Sequence, residues 1–113
     1  VRTYDTLRRQ SDFARLYRHG RRCAQESLLV YAVRGPAARG ARVGIAVSKS
    51  IGKAVSRNRV RRRIQNTLDA LRFGDTGGYD ILVVAKPGAA ERSYLDFAAQ
   101  LRTALSGVIE RAA

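Results

Sequence analysis

The apolar positions of this chain repeat at two spacings, and the switches between them mark out its elements. Phe13, Leu16 and Tyr17 fall at i, i+3 and i+4, which predicts a short helix over Asp12 to His19, with Ser11 as N-cap and Gly20 just past its end. Ser27 to Val33 (SLLVYAV) is β-branched and aromatic and predicts a strand. A loop follows at Arg34 to Gly40, punctuated by Gly35, Pro36 and Gly40. Arg42 to Ser48 alternates strictly, with Val43, Ile45 and Val47 on one face and Gly44, Ala46 and Ser48 on the other. These two strands and their short connection predict a hairpin, and a further short strand fits near Arg21 to Gln25.

Val60, Ile64, Leu68 and Leu71 then step along one side of a helix that Ser56 caps and that runs to about Phe73, where Gly74, Gly77 and Gly78 end it. Tyr79 to Ala85 (YDILVVA) is almost continuously apolar, the pattern of a strand covered on both faces and therefore central, and Pro87 and Gly88 break it. Ser93 with Asp96 three residues on has capping-box spacing. It opens a last helix with the stripe Tyr94, Phe97, Ala98, Leu101, Leu105, Val108 and Ile109. The order α-β-β-(β)-α-β-α in 113 residues, without repeat or linker, predicts one α+β domain across 1–113, an α-β sandwich with helices laid on a sheet.

Charge turns this generic small domain into a candidate polyanion binder. The chain carries 22 Lys and Arg against 9 Asp and Glu, a net charge of +13, and 19 of the 22 are Arg. Arg presents a planar fork of donors that suits phosphate. The excess is also local: Ser27 to Leu68 holds ten basic residues and no acid, whereas Asp69 to Ala113 holds five basic and six acidic residues. A surface tuned only for solubility mixes signs throughout, so this distribution predicts a positive face backed by a near-neutral helix.

Other classes lose support. No run of 18 apolar residues spans a membrane, and no signal-peptide pattern marks the chain for secretion. Cys23 is the one cysteine and His19 the one histidine, so a disulfide framework, a Cys-based zinc site and a His-dependent nuclease are poorly supplied. Cys23 reads as a small hydrophobe in or beside a strand. Ser48-Lys49-Ser50 and Gly52-Lys53 can hold phosphate at a helix start, but they lack P-loop spacing, so no nucleotide or other small-molecule substrate is indicated.

Ser56 to Gln65, SRNRVRRRIQ, is the most informative stretch. With Val60 facing the core, Arg57 and Arg61 fall on one flank, Arg59 and Arg63 on the other, and Asn58 and Arg62 point away. The pairs Arg57/Arg61 and Arg59/Arg63 repel at i, i+4, and no acid relieves them before Asp69. Solvated helix faces normally alternate sign; a face of one sign is suited to a polyanion. Phe13, Tyr17 and Tyr31 lie in the same basic part of the chain. Periodicity alone places them in the core, whereas rings lining a groove would stack on single-stranded bases. His19, at a helix end, reads as a dipole partner or a phosphate contact.

These residues together resemble the bacterial ribonuclease P protein component family. The resemblance rests on Arg42 to Lys49 (RVGIAVSK), Ile51 to Val55 (IGKAV) and Arg57 to Arg62 (RNRVRR), in that order. Asp12-Phe13, Tyr17, His19-Gly20, Leu29-Val30-Tyr31 and Asp80 to Lys86 stand where the family has its first helix, first long strand and last strand. The resemblance covers about Leu7 to Pro87. It implies an α-β sandwich with a left-handed βαβ crossover, against the usual right-handed rule, and a fold similar to a domain of a small-ribosomal-subunit protein.

The resemblance also implies partners and roles. The partner is a large catalytic RNA that removes the 5′ leader of precursor tRNA with magnesium bound mainly by the RNA, and the protein assists without a catalytic site of its own. Arg57, Asn58, Arg59, Arg61, Arg62, Arg63 and Lys53 would meet the RNA subunit or organise metal near it. Phe13, Tyr17, Leu29, Tyr31, Ser48 and Lys49 would line a cleft for the leader, with Arg8, Arg9 and His19 as further phosphate contacts. No metal site in the protein is assigned, and the setting is cytoplasmic. Ser50 stands where many members have a second Lys, and Tyr17 where many have Phe. The competing readings are a structural RNA-binding protein, which shares fold and charge, and a helix-turn-helix DNA binder, which the strand preceding the arginine helix disfavours.

Overall fold

The computed structural model describes residues 4–35, 40–71 and 78–112, the last three by backbone alone. In chain order its elements are β1 (Asp5–Thr6), α1 (Gln10–His19), β2 (Arg21–Ala24), β3 (Leu28–Arg34), β4 (Arg42–Ala46), α2 (Ala54–Ala70), β5 (Tyr79–Ala85) and α3 (Tyr94–Ala112). Single 3₁₀ turns at Lys49–Ile51 and Ala89–Glu91 precede α2 and α3. The strands form one sheet in the order β1-β4-β5-β3-β2. As its almost continuously apolar pattern predicts, β5 is central.

That order overturns the hairpin expected between β3 and β4. β5 lies between them, antiparallel to β3 and parallel to β4: Val83 sits opposite Val30 on one side and Ile45 on the other. The physical reason is burial. β5 has covered side chains on both faces, and only a central position supplies that cover. The hairpin of this fold is β2–β3, with Cys23 opposite Val30, so the short strand expected near Arg21 to Gln25 is present. β1 escaped sequence reading because two residues carry no period; its pairing with β4 alone defines it.

The hand of the β4–α2–β5 crossover follows from Val43. Its side chain joins Val60, Ile64 and Leu68 on the α2–α3 face, and its carbonyl accepts the Leu7 amide at 2.9 Å from the β1 side. Viewed from the side-chain side with the strand running up, an L-residue turns its amide and carbonyl to the right. β1 therefore lies right of β4 and β5 lies left. A chain that rises in β4, descends in front through α2 and rises again to the left describes a left-handed crossover, the exception that the family resemblance implies.

The helix boundaries differ from those expected. α1 begins at Gln10 after an extended Arg9, and α2 at Ala54 after an extended Lys53, neither with a side-chain cap. Ser11 and Ser56 thus stand inside first turns rather than at caps. For α2 the cause is Gly52, whose φ of 139° reverses the chain just upstream and starts the helix early. Ser93 does cap α3, accepting the Asp96 amide at 3.1 Å. Phe73, Gly74 and Gly77, expected to end α2, lie outside the described residues, as does part of the loop at Arg34 to Gly40.

The main core lies between the sheet and the α2–α3 layer. Leu28, Val30, Ile81 and Val83 meet Val60, Ile64, Leu68, Phe97, Leu101 and Val108, all fully buried. Each such side chain stabilises the fold by about 1.5–3 kcal/mol. Leu71 and Tyr94, expected in the two helix stripes, are each 41% exposed. They sit at helix ends, beyond the reach of the sheet. Among the described residues, the opposite sheet face is covered by α1 through Leu16 and by Leu7 just before it, both packed with Leu82.

Candidate nucleic-acid interface

The face beneath α1 is ruled into rows by strand register. Leu29, Val84 and Ala46 form one row across β3, β5 and β4; Tyr31, Leu82 and Gly44 form the next; Val33, Asp80 and Arg42 form the third. α1 lies over the second and third rows and leaves the first uncovered. Tyr31 and Leu29 are half-buried, and Tyr17 of α1 is 53% exposed. The Tyr17 and Tyr31 rings meet edge to face, with centroids 5.0 Å apart and planes at 72°. These rings are therefore neither core nor isolated: they form a half-exposed aromatic step beside an apolar floor. Ser48 and Lys49, both exposed, follow Ala46 just past the end of β4. Ser48 shares a 2.6 Å hydroxyl–hydroxyl bond with Ser50.

Phe13 owes its seat to Gly44. A Cβ at residue 44 would stand 2.5 Å from Phe13 Cε1 and 3.3 Å from Leu82 Cδ1. Glycine inside a strand marks such close approaches. Gly44→Ala is expected to swing the Phe13 ring outward at a cost of about 1 kcal/mol. Urea unfolding would read that cost, and Tyr17 fluorescence would report the disturbed neighbour.

An ionic cluster fixes α1 over this face. Asp80, fully buried, accepts from Arg42 Nε at 3.0 Å and Arg42 Nη2 at 2.7 Å, and also from Arg15 of α1. Arg42 Nη2 reaches Asp12 of α1 at 3.3 Å. The hydrogen bond to Asp80 raises the Arg42 pKa above its ordinary value; burial opposes this, and the charges of Asp80 and Asp12 reinforce it. Arg15, Arg42 and Asp80 were invisible as a set in the sequence, because only the topology brings β4, β5 and α1 together. Arg22 was also missed: it is exposed and directly across the β2–β3 pair from Tyr31, at the rim of the aromatic step.

On the other side of the sheet, α2 carries the arginines as the helical spacing requires. Asn58, Arg59, Arg61 and Arg62 are exposed, and Arg57 is half-buried. Among the described residues, none of Arg57, Arg59, Arg61 and Arg62 pairs with a carboxylate. Arg63 is half-buried, and its Nη1 donates to the Arg92 carbonyl at 2.6 Å, tying α2 to the start of α3. That bond lets its guanidinium hold two elements together. Lys53 is exposed at the start of α2, and Arg8, Arg9 and His19 are exposed before and at the end of α1.

The two sets of residues are neighbours despite lying on opposite faces. β4 leads from Ala46 through Ser48, Lys49 and the 3₁₀ turn directly into α2, so the uncovered first row and the arginine helix meet at one end of the sheet. No three His, Cys, Asp or Glu side chains among the described residues form a metal site. The carboxylates nearest the groove, Asp12 and Asp80, are engaged by arginine. The described residues thus do not fit a protein-held magnesium ion. Among them no helix is long and apolar enough to cross a membrane.

Comparison with known proteins agrees with this architecture. A protein of Clostridioides difficile called ribonuclease P protein component is 37% identical over 94 residues, covering 80% of this chain and 79% of its own. One of the same name from Thermobifida fusca is 42% identical over 110 residues, covering 90% and 74%. The RNase P protein of Staphylococcus aureus superposes with a TM-score of 0.79 at 28% identity, covering 89% of this chain and 92% of that one. The RNase P protein of Thermotoga maritima, at 22% identity, shares the fold with a TM-score of 0.74, covering 88% and 93%. The family model described as Ribonuclease P matches residues 2–108, and with it this chain belongs to the ribonuclease P protein family.

Proposed function

We propose that this chain is the protein subunit of a ribonucleoprotein that matures the 5′ end of tRNA, with two RNA-binding surfaces of separate purpose. The exposed arginines at the start of α2 hold the catalytic RNA. The uncovered sheet row and the Tyr17–Tyr31 step take the single-stranded leader of precursor tRNA, with Lys49, Arg22 and Ser48 at its rim. In this reading the RNA supplies the cleavage chemistry and its magnesium, the protein contributes affinity and placement, and the complex works in the cytoplasm.

One observation carries the proposal: a half-exposed pair of tyrosines stands on an apolar sheet face, one sheet end away from arginines that no carboxylate of the described residues neutralises. Rings stack on any base and so accept leaders of varied sequence, at about 1–3 kcal/mol per base. Unneutralised arginines make affinity for a folded RNA steeply salt-dependent. Photo-crosslinking separates the two surfaces. A benzophenone at Tyr31 in the reconstituted complex is expected to label the leader, and one at Arg62 the RNA subunit. Labelling of the RNA subunit from both positions would contradict the division and leave a purely structural RNA binder.

A further inference from the structure

α2 does not close completely against the β1–β4 edge. A cavity of about 190 Å³ remains between them, lined by Tyr4, Thr6, Val43, Ile45, Arg61 and Gln65. Its inner wall is apolar, with Val43 and the Tyr4 ring buried and Ile45 partly so. Its rim is polar. Arg61 and Gln65 stand one helical turn apart on the same flank of α2 as Arg57, so the cavity opens among the arginines.

We propose that this cavity receives one unstacked base of the RNA that α2 binds, an inference that rests on the RNA-binding reading of α2. Size limits the occupant. The volume is several times the roughly 30 Å³ share of a water molecule, yet below the roughly 300 Å³ at which pockets for drug-sized ligands begin. A flat heterocycle fits and a whole nucleotide does not. Chemistry selects among flat groups. The Gln65 amide offers donor and acceptor together, the complement of a base edge. Val43, Ile45 and the Tyr4 ring offer the apolar and aromatic surface on which base faces pack. Arg61 at the mouth holds the phosphate of the same nucleotide outside, where it stays solvated. The base thus fixes the register in which α2 meets its RNA, a task that phosphate contacts alone leave undetermined.

Equilibrium binding of the catalytic RNA across a range of salt, with base-specific chemical probing of the complex, tests this. In Thr6→Trp the indole occupies the cavity from its mouth; Gln65→Ala removes the amide. Thermal melting establishes that each variant is folded, and Gln65→Ala decides if Thr6→Trp is not. The expected result is affinity about tenfold weaker for Thr6→Trp and about fivefold weaker for Gln65→Ala, each with the wild-type salt slope because no phosphate contact is lost. One unpaired base protected by the wild-type protein becomes reactive in the Thr6→Trp complex. Wild-type affinity and protection in the folded variants would overturn the base pocket while leaving RNA binding by α2 intact. Failure of the wild-type protein to bind the RNA in a salt-dependent way would instead overturn the reading of α2, and the pocket with it.

Discussion

Asp80→Asn is expected to destabilise the fold by about 3 kcal/mol, because it leaves the guanidinium groups of Arg42 and Arg15 against a neutral buried amide. Breaking a buried ion pair costs about 3–5 kcal/mol. The lower end applies here, since the Arg42 and Arg15 side chains keep 21% and 35% exposure and so retain some water. For a domain whose whole stability is of order 5–15 kcal/mol, that loss lowers the melting temperature by roughly 12 °C. A loss below 1 kcal/mol would show that the cluster acts as an ordinary surface pair. The pH dependence has a definite sign. A raised Arg42 pKa contributes stability that is present below the unfolded-state value and lost only as pH rises through the folded-state value. The contribution therefore persists through the whole neutral and mildly alkaline range. α1 is the element released when the cluster breaks, and α1 carries Phe13 and Tyr17, so leader affinity is expected to fall along with stability.

Arg59→Ala combined with Arg62→Ala is expected to do the reverse, sparing the fold and removing affinity. Both side chains are exposed, and Arg59 faces Arg63 across one turn, so the change relieves repulsion worth a few tenths of a kcal/mol. If each arginine neutralises one phosphate, the slope of log affinity against log salt falls by about 1.8 on a double-helical RNA contact, and affinity near physiological salt drops roughly thirtyfold. Filter binding at several salt concentrations measures both quantities. An unchanged slope would place these arginines away from the RNA.

How much of this was legible in the sequence depends on the kind of signal. The central place of β5 followed from its almost continuous apolar run, and the outward arginines followed from one helical period anchored at Val60. The partner of β3 did not follow. Pairing is decided by which strand can bury both faces, and the competitor, β5, lies more than thirty residues beyond β4. Asp12, Arg15, Arg42 and Asp80 come from three elements whose contact depends on the left-handed crossover and on α1 crossing back over the sheet, so no spacing announces them. Gly44 was readable in part. It belongs to a small-residue face, and a small face in an alternating strand means that something approaches closely. Which ring approaches is a tertiary fact. The aromatic step shows the same limit: periodicity assigned Tyr17 and Tyr31 to a core, and only the short length of α1 leaves them half open.

The most direct test of the two-surface account is cleavage of precursor tRNA at low magnesium by a bacterial ribonuclease P RNA, with and without this protein. The substrates carry either a long leader or a single-nucleotide leader. The account predicts strong stimulation with the long leader and weak stimulation with the short one, and loss of that difference in Tyr17→Ala/Tyr31→Ala. Equal stimulation of both substrates, or a leader-length effect that survives removal of both rings, would contradict it.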